Sequence, residues 1–252
     1  MCYDISFSTV MKTLKDYFPD IVMETQLSVD FENKDHVLAQ AFSKYPVIVF
    51  QEGKFRLREM EWGVIAAYMD TPDKIKQGRQ WMCNAQAEKV AEKSSYWHRI
   101  RKSRCLIPVT GIYEHREVTG LKNKIPYYVW QKKRSVFFLP GLFAPYTDKE
   151  TGEIINAFTV ITRGANSVMK QIHNGGSNKN RMPLFLNFEL EQKWVMPDLT
   201  DEELLEIMKF EIPSETLDFR TVFTIRGRSQ RPDGLKKIEE YNWGTGVPEI
   251  EV

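Results

Sequence analysis

Leu106-Ile107-Pro108-Val109-Thr110-Gly111-Ile112-Tyr113-Glu114-His115-Arg116 sets the fold class of this chain. The stretch is rich in β-branched and aromatic residues, whose side chains fit a pleated surface. It reads as one strand carrying a carboxylate, Glu114, between Tyr113 and His115 at its far end. Runs of the same character follow at residues 126–131, 136–143 and 154–162, separated by turn-forming segments. Together they predict a sheet-dominated centre.

Before this centre, residues 47–51 read as a buried strand and 8–17 as a short helix. Residues 85–102 set Val90, Trp97 and Ile100 among charges, the spacing of an amphipathic helix whose basic residues face outward. After the centre, 166–172 reads as a short helix, 183–186 as a strand, and 189–195 as a helix stopped by Pro197. Thr200, Asp201, Glu202 and Glu203 ahead of Leu204 and Leu205 form a capping box, starting a helix that ends before Pro213. Strand runs with helices at their margins make an α+β protein rather than an alternating α/β one. No repeat, low-complexity tract or Pro/Gly-rich linker divides the 252 residues, so a single domain over 1–252 is expected.

A chain that is 42% hydrophobic and 12% aromatic can bury a real core. No run approaches the ~18–20 apolar residues of a membrane span, and the N-terminus lacks a signal peptide's apolar core. A cytoplasmic protein without membrane association is expected. Cys2, Cys83 and Cys105 are too few and too scattered for a disulfide framework, and no Cys/His cluster has metal-ligand spacing. Reduced thiols, no metal and no cofactor follow as expectations.

The net charge of +1 hides an uneven distribution. Lys93, Arg99, Arg101, Lys102 and Arg104 are interleaved with Tyr96, Trp97 and His98, and Lys132, Lys133 and Arg134 form a second basic cluster. Asp198, Asp201, Glu202, Glu203, Glu206, Glu211 and Glu215 stand against one lysine in the same span. A basic face with an acidic C-terminal lobe suits nucleic acid, although charge alone favours solvated helix faces on opposite sides of an ordinary enzyme.

Three features carry chemistry. Removal of Met1 would leave Cys2 with a free α-amine and a β-thiol, a 1,2-aminothiol that condenses with an aldehyde as an imine and then, by intramolecular thiol addition, as a five-membered thiazolidine. Both groups titrate near ~8 to 8.5, so each is poised at neutral pH. Glu114 is either an exposed strand-end carboxylate or a proton carrier. His173 ends the predicted helix 166–172 and precedes a Gly-Gly-Ser-Asn loop able to fold over a site, though a lone histidine is more often structural. Asn84 is explained equally by N-capping the basic helix.

The order of these pieces resembles the SOS response-associated peptidase family, also called abasic-site processing proteins. The family's pattern is Met-Cys, Trp-Gly-Leu-Ile, Asn-Ala-Arg-x-Glu, Arg-Cys-Leu-Ile-Pro-x-x-Gly-Tyr-Tyr-Glu-Trp, Gly-Leu-Trp and His-x-Arg-Met-Pro. Here stand Met1-Cys2, Trp62-Gly63-Val64-Ile65 and Asn84-Ala85-Gln86-Ala87-Glu88. Arg104 through Glu114, Gly141-Leu142-Phe143, and His173 with Arg181-Met182-Pro183 complete the series. The matches run over 2–195, leaving 198–252 as an acidic extension expected to pack on the same domain.

The resemblance implies a strongly twisted, mainly antiparallel, barrel-like sheet flanked by helices. It implies a monomeric DNA-damage protein of N-terminal cysteine peptidase or lyase type. Such a protein bonds Cys2 to the ring-opened abasic site of single-stranded DNA as a thiazolidine and removes its own Met1. His173 would assist opening of the sugar, Glu114 would relay protons, and Asn84 would hold the Cys2 backbone or a sugar hydroxyl. An ionised Glu114 would favour the ammonium form of the amine and oppose attack, so its benefit lies in proton transfer or orientation. Arg99, Arg101, Arg104 and Arg181 are the expected phosphate contacts, with Gln86 on the same path, and Trp62 packs against either a base or the core.

Three departures qualify the carry-over. Gln86 replaces the family's arginine, residues 174–180 stretch the interval from His173 to Arg181, and His115 replaces the tryptophan after Glu114. Two other readings compete: an N-terminal cysteine peptidase or amidohydrolase acting on acyl substrates, and a non-catalytic single-stranded DNA-binding module in which Cys2 is dispensable.

Overall fold

The computed structural model describes residues 2–23, 33–227, 229–244 and 246–252. Met1, and with it the expectation of its removal, lies outside the described residues. Strands β1 (Asp4–Phe7), β2 (Val22–Met23), β3 (Lys34–Leu38), β4 (Lys44–Gln51) and β5 (Lys54–Trp62) precede helix α1 (Pro72–Gly78). Next come β6 (Asn84–Gln86), α2 (Ala87–Ala91), α3 (Tyr96–Arg99), β7 (Arg104–Val109), β8 (Gly111–Arg116), β9 (Ile125–Gln131), β10 (Phe137–Thr147) and β11 (Ile154–Gly164). The rest are α4 (Ser167–Ile172), β12 (Arg181–Pro183), α5 (Phe188–Trp194), α6 (Asp201–Lys209) and β13 (Leu217–Thr221).

Five strands close on themselves. β11 pairs β10, β10 pairs β7, β7 meets β4 at Leu106 and Ile48, β4 pairs β5, and β5 returns to β11 in parallel through Ala157↔Glu61 and Phe158↔Trp62. The α+β class and the barrel-like centre expected from the sequence are both present. A second sheet, ordered β13-β9-β8-β1-β3, lies beside the ring. The opening stretch is therefore two strands rather than one, because the chain leaves the ring at Thr110, whose N–H bonds the Ser6 carbonyl at 2.9 Å, and enters the second sheet. Gly111 makes the crossing possible: a Cβ there would stand 2.2 Å from the Tyr128 ring. Phe137, Phe138, Phe158, Trp62 and Trp194 fill the core without exposure, each contributing on the order of 2–3 kcal/mol through burial.

The helix expected over 85–102 is broken. Residues 84–86 instead form β6, parallel to β11, and Glu92 takes an extended backbone (φ −79°, ψ 112°) that ends α2 after one turn. Ser95 starts α3 by accepting the Trp97 N–H at 3.2 Å. Asn84 is thus no N-cap, since Gln86 holds that position. The Thr200–Glu203 capping box forms as expected, and Asn166 caps α4 through the Met169 N–H.

The basic and acidic segments meet at one ion pair. Arg101 makes two 2.9 Å bonds to the Asp201 carboxylate, and Glu203 and Glu211 take Lys193 and Arg163. The acidic lobe thus pairs with cations packed against it, Arg101 of the basic segment among them.

Candidate active site

The second sheet brings Cys2 and Tyr3 to the carboxylate. Ile5 pairs with Ile112 and Ser6 with Gly111, so the residues preceding β1 run antiparallel along the end of β8 that carries Glu114. The Ala39 N–H donates to the Tyr3 carbonyl at 2.8 Å and pins the strand's start. Cys2 is fully buried, its thiol directed to the Asp4 carbonyl at 4.0 Å. Burial pushes that thiol well above its ordinary value, and the neighbouring Glu114 adds to the shift.

Glu114 is buried, and its Oε1 has no hydrogen-bond partner. Burial pushes this carboxyl up to about 8, so it is mostly protonated at neutral pH. His173 caps the C-terminal end of α4, its N–H bonded to the Met169 carbonyl at 2.8 Å. Its Nδ1 lies 2.7 Å from the Arg181 carbonyl, an acceptor, so Nδ1 carries the proton and Nε2 presents a lone pair. That Nε2 stands 3.9 Å from Glu114 Oε2. Burial drives His173 down to about 4, leaving the ring neutral.

Asn84 comes from the ring. Trp62 Nε1 donates to the Cys83 carbonyl at 2.9 Å, as does the Val160 N–H at 3.1 Å, fixing the peptide that leads into Asn84. Both amide atoms of Asn84 are buried without a hydrogen bond of normal geometry, although the Tyr3 phenol lies close enough to interact with it. The same phenol interacts with Cys83, Arg226 and Glu114, and burial pushes it up to about 12. Cys2, Asn84, Glu114 and His173 therefore converge on one buried polar site. Buried polar atoms left unmatched are costly, so the site is suited to a polar ligand.

The insertion at 174–180 folds back on itself between His173 and Arg181. Asn180 returns its N–H to the His173 carbonyl at 2.8 Å, and the Asn174 side chain clips both backbone groups of Glu117. Arg181 then starts β12, with its guanidinium held by Glu88 at 2.8 and 3.0 Å and by the Thr162 carbonyl. Trp62 is wholly buried and stacked on Phe158, so of the two readings offered by the sequence it takes the core one. Arg104 is 5% exposed and donates to the carbonyls of Trp194 and Met196, a structural role in place of the expected phosphate contact. Arg99 is exposed on α3, away from the four converging residues in sequence, whereas Gln86 is half-buried at the end of β6, two residues after Asn84 and paired with Thr162 of β11.

Asp4, His36 and Arg226 were not anticipated. The Asp4 carboxylate, 2% exposed, takes Arg226 through both oxygens and His36 Nε2 at 2.8 Å. Burial alone would raise this carboxyl, but the two hydrogen-bonding partners outweigh it and hold the group below its usual range. An acid in an apolar strand two residues from Cys2 was the available signal. His115 adds no cation, because burial lowers it. Among the described residues no group of three or more His, Cys, Asp or Glu is placed to hold a metal, and no helix is long and apolar enough to cross a membrane.

The protein called abasic site processing protein YoqW of Bacillus subtilis is 32% identical over 151 residues, covering 60% of this chain and 62% of its own length. The chain thus spans less than two thirds of that relative. Abasic site processing protein YoaM of the same organism is 27% identical over 197 residues (77% and 82%), and abasic site processing protein HMCES of Xenopus tropicalis 26% over 204 (72% and 57%). A crystal structure from Bacteroides thetaiotaomicron superposes with TM-score 0.77 at 30% identity, over 88% of this chain and 92% of that one. One from Bordetella bronchiseptica shares the fold (TM-score 0.72, 16% identity, 88% and 100%). The family model described as SOS response associated peptidase (SRAP) matches residues 1–225, past the last motif seen in the sequence. This chain belongs to the SOS response associated peptidase family.

Proposed function

We propose that this protein acts in the DNA-damage response as a monomer, capturing the ring-opened abasic site of single-stranded DNA as a thiazolidine on Cys2. The observation that carries the reading is the meeting of a wholly buried Cys2 with a protonated Glu114 and a neutral His173 that faces it at 3.9 Å. The relatives' names, abasic site processing proteins, support the same substrate.

The α-amine of Cys2, freed by cleavage of the Met1–Cys2 bond, attacks the C1′ aldehyde. Glu114 donates a proton to the carbinolamine hydroxyl, which leaves as water and yields the imine. The Cys2 sulfur then bonds to the imine carbon while the thiol proton is passed, through the carboxylate, to the nitrogen. Aldehyde plus aminothiol gives thiazolidine plus water, with no change in oxidation state. The lone pair of His173 Nε2 suits it to exchange a proton with the sugar's ring oxygen during opening. A carboxyl kept neutral by burial removes the objection that an ionised Glu114 would hold the amine as ammonium.

Burial that raises the Cys2 thiol works against the thiolate a general cysteine peptidase requires, so hydrolysis of its own N-terminal bond is the extent of peptidase action in this account. The test is to mix protein with a single-stranded oligonucleotide bearing one abasic site and run it under denaturing conditions. A resistant conjugate is expected, and it should vanish in Cys2→Ala. Equal, equally stable conjugate in Cys2→Ala contradicts the thiazolidine.

A further inference from the structure

Of the four arginines expected to contact phosphate, three are committed within the protein: Arg101 to Asp201, Arg104 to backbone carbonyls, Arg181 to Glu88. A different set surrounds a cavity of about 610 Å³ bounded by Lys34, His36, Ser43, Lys44, Arg226 and Gly227. Lys34 opens β3 and Lys44 opens β4, both exposed, and neither has an acidic partner among the described residues. Arg226 reaches in from the segment after β13.

This cavity adjoins the site around Cys2. Arg226 chelates Asp4, two residues from Cys2, and its charge also acts on Glu114 and Tyr3. His36 closes the other side of the same carboxylate. Among the described residues, Asp35 is turned away, its Oδ1 accepting from the Ser8 hydroxyl at 2.8 Å, and Glu61, across the ladder from Lys44, is taken by Arg79 at 2.6 Å. Among the described residues three cations, Lys34, Lys44 and Arg226, thus face the one carboxylate of Asp4, a net positive charge. A concave cationic wall concentrates anions more strongly than the same charges spread on a convex surface. The volume is in the range of small-molecule sites, ample for one phosphodiester and its flanking sugars.

We infer that this cavity seats a backbone phosphodiester of the DNA strand, adjacent to the abasic sugar held at Cys2. Lys34 and Lys44 supply the mobile charges, while Arg226, fixed by Asp4, is the rigid edge between phosphate and sugar. The assignment rests on the proposed reading of Cys2 for which strand is bound, but the binding itself is measurable without that chemistry. It also accounts for a DNA path in a chain that carries Gln86 where its family carries arginine.

The experiment compares wild type with the Lys34→Ala/Lys44→Ala double variant, using fluorescence anisotropy with an intact single-stranded oligonucleotide across a salt series. About a tenfold loss of affinity is expected, with the log–log salt slope shallower by up to ~1.4, or ~0.7 per phosphate contact. The Lys34→Arg/Lys44→Arg variant should keep both. Adduct formation with free 2-deoxyribose, which carries an aldehyde and no phosphodiester, should be unchanged in all three. Unchanged affinity and slope in the alanine variant overturns the inference, as does equal loss in the arginine variant. Failure of wild type to form the deoxyribose adduct would deny the Cys2 chemistry while leaving the binding result to stand alone.

Discussion

His173 Nε2 faces Glu114 Oε2 across 3.9 Å, while its Nδ1–H is tied to the Arg181 carbonyl. At neutral pH the pair holds one exchangeable proton, on the carboxyl, with the imidazole lone pair facing it. His173→Ala should therefore slow conjugate formation by up to ~10²-fold, the usual contribution of a placed acid or base. Affinity for intact DNA should hardly change. Equal losses of affinity and of conjugation rate would make His173 a binding contact instead.

Glu114 predicts a pH signature of stability. Its carboxyl titrates near 4.5 in an unfolded chain and near about 8 in the fold. Between these values the unfolded state releases a proton that the folded state keeps. Stability is therefore lost as pH rises through that window, by ~1.4 kcal/mol per unit at most. Glu114→Gln has no proton to lose, so its stability relative to wild type should rise from pH 5 to pH 8 by up to several kcal/mol, then level off. Urea unfolding at both pH values checks this, and a difference independent of pH contradicts it.

The Glu88–Arg181 pair makes a third prediction. Glu88 occupies the fork of Arg181 in the free protein, and the arginine holds that carboxyl below its usual range against the opposing effect of burial. If Arg181 turns to phosphate when DNA binds, Glu88→Gln removes its competitor. Affinity for single strands should tighten a few-fold and the salt slope steepen by up to ~0.7. Weaker binding in Glu88→Gln would mean that the pair positions Arg181 rather than restrains it.

What the sequence carried and what it did not divide along physical lines. Local rules were legible: the Thr200 capping box depends on residues three apart and forms, and the short helix read over 166–172 is present as α4. The break at Thr110 was not, because one apolar run served two sheets and only the Tyr128 ring packed against Gly111 marks the crossing. The helix read over 85–102 is two short ones, because Ala85 and Gln86 pair with β11, a tertiary effect invisible in the window itself, and Glu92 turns extended between α2 and α3. At the site, Cys2, Asn84, Glu114 and His173 stood in the motif order. Arg226 and His36 did not, since each enters by closing on Asp4 across a long interval of chain. Charge runs overcounted DNA contacts, because Arg101 and Arg104 spend their donors inside the protein.

The central claim is that the N-terminal amine and thiol of Cys2 together hold the abasic sugar. An acylated nitrogen is an amide whose lone pair is delocalised, so it forms no imine. Intact-mass measurement on a preparation containing both chains with and chains without Met1, before and after exposure to abasic single-stranded DNA, tests this most directly. Only the species lighter by one methionine should gain the oligonucleotide, at the summed mass less one water. An adduct on the species that retains Met1 would contradict the account.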